Sequence, residues 1–195
     1  MGFGRGPTCL ASGEMLRSLK ADIALMRSRR SDHGLLLPYL FPHLFAVACY
    51  RVAHALGTRG LAPLARLVQI ISLTLTGAEL DWRAEIGPGL FLEHPHGVEI
   101  GDGVVIGSNA VLGLAVLLGS TFHHPDRTGF PTIGDNVEIW AKASVLGPVH
   151  VGDGAIVGAH ALVMHDVPPG AVARGVPAKM YIDGGLVERS GATAC

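Results

Sequence analysis

Glu93, His94 and His96 fall within four residues of one another in the stretch GLFLEHPHGVEIG, residues 89–101. A histidine titrates near neutral pH and can take a proton from an alcohol. A second polar group, His123, His124, Asp126 and Arg127, lies in GSTFHHPDRTGFPTIG, residues 119–134. On paper His94, His96, His123 and His124 also leave a zinc site open, because hydration chemistry on zinc needs about three histidines converging on one ion. The plainest alternative for His94 is a hydrogen-bonded loop histidine, one of ten in the chain.

Both groups interrupt a rhythm. An aliphatic residue recurs every six positions: Ile86, then Ile100, Ile106, Leu112 and Leu118, then Ile133 through Val163. Glycine usually follows it, and a small or branched residue stands two positions before it. Residues two apart on a strand share a face, so each hexad reads as a short strand with two apolar side chains inward. A corner follows, at which glycine would tolerate backbone angles that other residues avoid. Short strands turning one way every six residues build a parallel β-helix with three faces. Ile86 and Ile100 are fourteen residues apart where two hexads take twelve. The insertion pushes a loop out of the wall, with His94 at its start. The break between Leu118 and Ile133 is longer, and long loops on a compact scaffold tend to be functional.

Residues 14–76 have a different period. EMLRSLKADIALMRSRR sets Met15, Leu19, Ile23 and Met26 on one helical face. A second helix is expected from near Pro42 to Gly57. A third, PLARLVQIISLTL, takes Pro63 in its first turn. Its continuous apolar character predicts burial against a partner such as another subunit.

The chain has 195 residues and a formal net charge of −1, so no basic footprint points to nucleic acid. Cys9, Cys49 and Cys195 are scattered and odd in number, which suits a reducing compartment. The greasiest stretch, LLLPYLFPHLFAVACY, is shorter than a bilayer span and contains two prolines. No signal-peptide pattern precedes it. The expected location is the cytoplasm, with no membrane partner.

The hexads resemble those of the left-handed β-helix acyltransferases, and the chain is similar to a serine acetyltransferase from about Asp22 to Tyr181. The landmarks are YRVAHAL, GAELDWRAEIG, LEHPHGVEIG and GVPAK. The resemblance implies an α+β chain: an N-terminal α-helical domain (1–76, oligomerisation and acceptor side), a left-handed parallel β-helix of hexapeptide repeats (77–170, catalytic), and a C-terminal extension and tail (171–195). It also implies a homotrimer with active sites between neighbouring subunits. The apolar helices permit two trimers to pair.

In this resemblance His94 is the general base that deprotonates an acceptor hydroxyl for attack on the thioester of acetyl-CoA, and no metal is expected. Glu79 matches the carboxylate that orients the base, and Asp81 is the alternative. Glu93 matches a residue that holds the acceptor's amino group, and Asp32 another acceptor-binding aspartate. The acceptor loop of the family closes with Arg-His-Pro, where this chain has Gly129-Phe130-Pro131. His123, His124 and Arg127 remain in that loop as acceptor-binding candidates, and Phe130 would make its wall more apolar. Gly119, Ser120 and Thr121 match a segment near the reacting carbonyl, and Ala141 a pantetheine contact. Trp140 replaces a glycine there and is expected to pack on the cofactor or on a neighbouring subunit. Lys179, with Arg174, would meet the phosphates of CoA.

The acceptor is therefore L-serine or a serine-like amino acid, with a sugar or secondary-metabolite alcohol as the alternative. A zinc-dependent or non-catalytic β-helix is the more distant one. Many relatives end in an isoleucine that docks in the next enzyme of cysteine synthesis. This chain ends in Cys195, so no cysteine synthase complex is expected.

Overall fold

The computed structural model describes residues 12–29, 40–121, 128–183 and 185–187. Cys9, Asp32, His123, His124, Asp126, Arg127 and the tail from 188 to 195 lie outside the described residues.

Three α-helices come first: α1 (Ser12–Ser28), α2 (Phe45–Gly57), preceded by a π-helical turn at Leu40–Leu44, and α3 (Ala62–Thr76). Proline stands in the first turn of α3, and Gly77 closes it with a φ of 72°, a left-handed cap that glycine adopts without a Cβ penalty. The buried face of α1 differs from the expected one. Ser18, Asp22 and Met26 are buried, whereas Met15, Leu19 and Ile23 are only half-buried. A charge turned this helix: the Asp22 carboxylate reaches a buried partner on α2, and the helix rotates to deliver it. In α3 the buried residues are Ala65, Gln69, Ser72 and Thr76, while Leu64, Leu67, Ile70, Ile71 and Leu75 are exposed. Among the described residues nothing covers the apolar side of α3.

From residue 79 the chain coils. The first turn is β1 (Glu79–Leu80), β2 (Glu85–Ile86) and β3 (Phe91–Leu92). The second is β4 (Glu99–Ile100), β5 (Val105–Ile106) and β6 (Val111–Leu112). The third is β7 (Leu117–Gly119), β8 (Thr132–Ile133) and β9 (Glu138–Ile139), and the fourth β10 (Ser144–Leu146), β11 (His150–Val151) and β12 (Ile156–Val157). A partial fifth holds β13 (Leu162–Val163), a bridge at Val167 and β14 (Val172–Arg174). Every third strand pairs in parallel, so the turns stack as three flat faces, β1-β4-β7-β10-β13, β2-β5-β8-β11 and β3-β6-β9-β12-β14. Two antiparallel strands, β15 (Lys179–Ile182) and β16 (Gly185–Val187), extend the last face. The expected inward residues, from Ile86 to Val163 and from Ala84 to Ala161, are buried in one core.

Most of the glycines after the aliphatic positions serve a different need from the one expected, Gly119 and Gly158 being the exceptions with room for a Cβ. None of Gly87, Gly101, Gly107, Gly113, Gly119, Gly134, Gly152 and Gly158 has positive φ. At Gly87 an added Cβ would lie 2.7 Å from the Gly107 carbonyl oxygen, and at Gly113 it would lie 2.6 Å from the Ala141 nitrogen. The turns approach so closely there that no side chain fits. Left-handed angles occur elsewhere, including Ala115, Lys142 and His160 at 52°, 61° and 59°.

The YRVAHAL segment docks the helices on the first turn. Tyr50 donates its hydroxyl to the Ala84 carbonyl at 2.7 Å and accepts from Ile86 N at 3.2 Å. Burial pushes the Tyr50 hydroxyl well above its ordinary range, so it stays protonated as a donor. Arg51 donates to the carbonyls of Ile86 and Gly87, and His54 Nδ1 donates to Trp82 O at 2.7 Å. Asp22 completes the seam by accepting from the backbone nitrogens of Gly89 and Leu90.

Candidate active site

The first break in the rhythm has a local cause. Strand β3 keeps its place under β6, with Phe91 opposite Val111 and Leu92 opposite Leu112. The two extra residues are thrown into the corner between Leu92 and Glu99. Pro95 is buried and pins that corner, while His94 and His96 stand exposed on it. His96 lies over Gly77, where an added Cβ would come within 2.4 Å of its Nδ1. The left-handed cap of α3 and the inserted corner therefore fit each other only through a glycine.

Between them opens a cleft of about 720 Å³, lined by Leu73 and Leu75 of α3, Pro42 and His43 of the turn before α2, and His94, Pro95 and Leu114. Its walls are mostly apolar, with imidazoles as the prominent polar groups. His43 and His94 rings are 6.0 Å apart, and His43 Nδ1 lies 3.0 Å from the Leu92 carbonyl.

Glu79 sits on β1, in register with Glu99 on β4. Its Oε1 accepts from Gln69 Nε2 at 3.3 Å and lies 3.5 Å from Arg66 Nη1. Gln69 is buried, and its own Oε1 has no partner among the described residues. No hydrogen bond or ion pair among the described residues joins Glu79 to His94. Asp81 is committed elsewhere. It accepts from the backbone N, Nε and Nη2 of Arg83 at 2.9, 3.0 and 3.0 Å. Burial raises its pKa, but these bonds outweigh it and hold the carboxyl below the usual carboxylate value.

Other candidates spread over the coil. Glu93 is half-buried beside His94, with its backbone N bonded to Leu112 O. Gly119, Ser120 and Thr121 leave the far edge of the face that His94 enters. Phe130 packs back on its own chain: an added Cβ would lie 2.2 Å from its ring at Gly103 and 2.9 Å at Gly101. Trp140 and Ala141 form a corner in the same column as His96, with Ala115 N bonded to His96 O, Lys142 N to Leu114 O and His160 N to Ala141 O. Arg174 and Lys179 are cross-strand neighbours on β14 and β15, and the Arg174 guanidinium stacks 3.9 Å from the Tyr181 ring centroid. Among the described residues no group of three or more His, Cys, Asp or Glu side chains is arranged to hold a metal, and no helix is long and apolar enough to cross a membrane.

Sequence reasoning missed the Asp22–Arg51 pair, Gln69 and His43. Gln69 carried a signal, since Gln69, Ser72 and Thr76 put a polar stripe at helical spacing on an otherwise apolar helix.

Residues 130–165 match the family model for the bacterial transferase hexapeptide (six repeats), and residues 96–119 that for the hexapeptide repeat of succinyl-transferase. A serine acetyltransferase of Helicobacter pylori strain J99 is 40% identical over 140 residues, covering 72% of this chain and 81% of the relative. The chain belongs to the serine acetyltransferase family. It is therefore an acyltransferase. Among solved structures, soybean serine acetyltransferase complexed with serine superposes with a TM-score of 0.80 at 33% identity, over 87% of this chain and 70% of that one. A serine acetyltransferase in complex with CoA superposes at 0.79 and 29% identity, over 87% and 71%. As a serine acetyltransferase family member, this chain shares its fold with these two structures over 87% of its length.

Proposed function

We propose that this chain transfers the acetyl group of acetyl-CoA to the hydroxyl of L-serine or a serine-like amino acid, with His94 as general base. The observation that carries this reading is an exposed histidine on an inserted corner, facing an apolar cleft, in a chain 40% identical to a serine acetyltransferase. His94 takes the proton of the acceptor hydroxyl as its oxygen attacks the thioester carbonyl. The C–S bond then breaks, and the imidazolium returns the proton to the leaving thiolate. No covalent enzyme intermediate is required. Glu79 orients the base in this scheme, turning from Arg66 to do so, Glu93 holds the acceptor's amino group, and Asp32 is a further acceptor-binding carboxylate.

Acetyl-CoA runs along the corner column from His94 past Ala141 toward Arg174 and Lys179. These cations lie about four strand spacings away, roughly 19 Å, which suits a long arm ending in phosphates. Gly119, Ser120 and Thr121 stand on the opposite edge of their face from His94. Edge-to-edge packing of a left-handed, trimeric coil would bring them to a neighbour's His94, and the exposed apolar side of α3 is available for pairing of trimers. A cytoplasmic place of work suits a thiol product. The division at residues 76 and 170 goes with this reading.

A second acceptor class keeps the chemistry. Phe130 stands where the family loop has its acceptor-binding histidine and packs on Gly101 and Gly103, which favours a larger or uncharged alcohol such as a sugar. Thiol release from acetyl-CoA, measured with L-serine and then with amino acids, sugars and other alcohols, separates the two. Loss of release in His94→Ala tests the base.

A further inference from the structure

Gln69 is a polar side chain on the buried face of α3, only 3% exposed. Burying an amide is favourable only where its groups are paired. Among the described residues the Gln69 side chain makes one hydrogen bond, from Nε2 to Glu79 Oε1 at 3.3 Å. A carboxylate can only accept, so the amide must turn its nitrogen toward Glu79. Its own oxygen is thereby left buried with no partner among the described residues. A half-satisfied amide lowers stability, and an apolar side chain of the same length would remove that penalty. Its polar neighbour on the same stripe has a local use, since Thr76 Oγ1 donates to Ser72 O and accepts from Ala78 N. What glutamine brings to position 69 is the bond to Glu79.

Gln69 and Arg66 reach the same atom, Glu79 Oε1, at 3.3 and 3.5 Å. No hydrogen bond among the described residues goes to Oε2. The two donors differ in what competes for them. The Arg66 side chain is 54% exposed, and its charge also acts on Asp81, so water and a second carboxylate both draw on it. Gln69 is fixed by burial. The inserted corner is tied to the same place, because Gly97 N donates to Gly77 O at 2.8 Å, two residues before Glu79. With Oε1 held from the helix, Oε2 is the oxygen left for the base.

We infer that Gln69 is a positioning residue of the acetyl-transfer site: it anchors Glu79 Oε1 so that Oε2 accepts the ring N–H of His94 and limits how the base can turn. This rests on the acetyl-transfer reading above and extends its line of contacts from imidazole to carboxylate to α3. Gln69 itself touches no substrate.

The test is Gln69→Met, which keeps the length of the side chain and removes both amide groups. Thiol release from acetyl-CoA is measured with the acceptor that wild type turns over best. Turnover should fall about tenfold or more, the range of a hydrogen bond to a charged group. The KM values for acetyl-CoA and for the acceptor should stay put. The thermal midpoint should hold or rise, because an unpartnered buried oxygen has gone. Gln69→Leu should repeat these signs. In a Glu79→Ala background, Gln69→Met should slow turnover no further. A merely structural Gln69 would instead lower the thermal midpoint in both variants, which overturns the inference. So does unchanged turnover in Gln69→Met or in Glu79→Ala, or an equal loss with and without the Glu79 carboxylate. A wild type that releases no thiol with any acceptor defeats the acetyl-transfer reading itself, and the inference with it.

Discussion

Asp22 on α1 and Arg51 on α2 meet as a forked ion pair, with Nε–Oδ2 and Nη2–Oδ1 distances of 3.0 Å, and their side chains are 0% and 2% exposed. Both then reach beyond the pair to the backbone of the first turn, Asp22 to Gly89 and Leu90, Arg51 to Ile86 and Gly87. One buried charge pair thus joins two helices to the coil that carries the proposed base.

Removing either partner leaves the other charge buried and unpaired, which typically costs about 3–5 kcal/mol. Asp22→Ala and Arg51→Met should each lower the unfolding free energy, read from urea denaturation, by that much. The double variant should lose less than the sum, because neither charge is then stranded. Simple additivity would show that the pair is not coupled.

His94→Ala should cost about a hundredfold to ten-thousandfold in turnover while leaving the urea midpoint nearly unchanged, since the side chain is exposed. Near-normal thiol release in this variant removes His94 from the base role.

Glu79→Gln should slow turnover by less than His94→Ala, because it alters orientation rather than proton transfer. If Glu79 works only through His94, the double variant should be no slower than His94→Ala alone. A further drop in the double variant would give Glu79 an independent role.

Phe130 and Gly103 should be strongly coupled. A methyl group at Gly103 meets the Phe130 ring at 2.2 Å, so Gly103→Ala should destabilise by about 1–3 kcal/mol. In a Phe130→Ala background the same change should cost little. An equal cost in both backgrounds would place the strain elsewhere.

Asp81 is held below its ordinary carboxyl pKa of 3.8 by Arg83. A depressed folded-state pKa adds stability above the unfolded value, and that contribution is lost as pH falls through the folded value. The stability gap between wild type and Asp81→Asn should therefore be constant near neutrality and shrink below about pH 3.8. A gap that persists into acid would mean that the Arg83 contact does not depend on charge.

The coil was legible because one hexad needs only two inward side chains and a corner. The pattern Val98, Ile100, Gly101 recurs as Val104, Ile106, Gly107 and predicts its own stacking. The inserted corner was legible for the same reason, as a miscount in a strict period. The face of α1 was not: helical periodicity ranks residues by hydrophobicity, and Asp22 is buried by a partner on another helix.

The sequence by itself determined the three-faced coil, the position of its two interruptions and the candidacy of His94, since all of these follow from local spacing. Only the tertiary structure decided that Asp81 belongs to Arg83, that Glu79 rests on Gln69, that Phe130 packs on Gly101 and Gly103, and that His43 shares a cleft with His94. His43 and His94 are remote in the chain, and Asp81 and Glu79 are near neighbours. For Glu79 and His43 the partner is chosen by how the helices dock on the first turn, and for Phe130 by how its loop folds back on the coil, long-range packing decisions that local spacing does not encode.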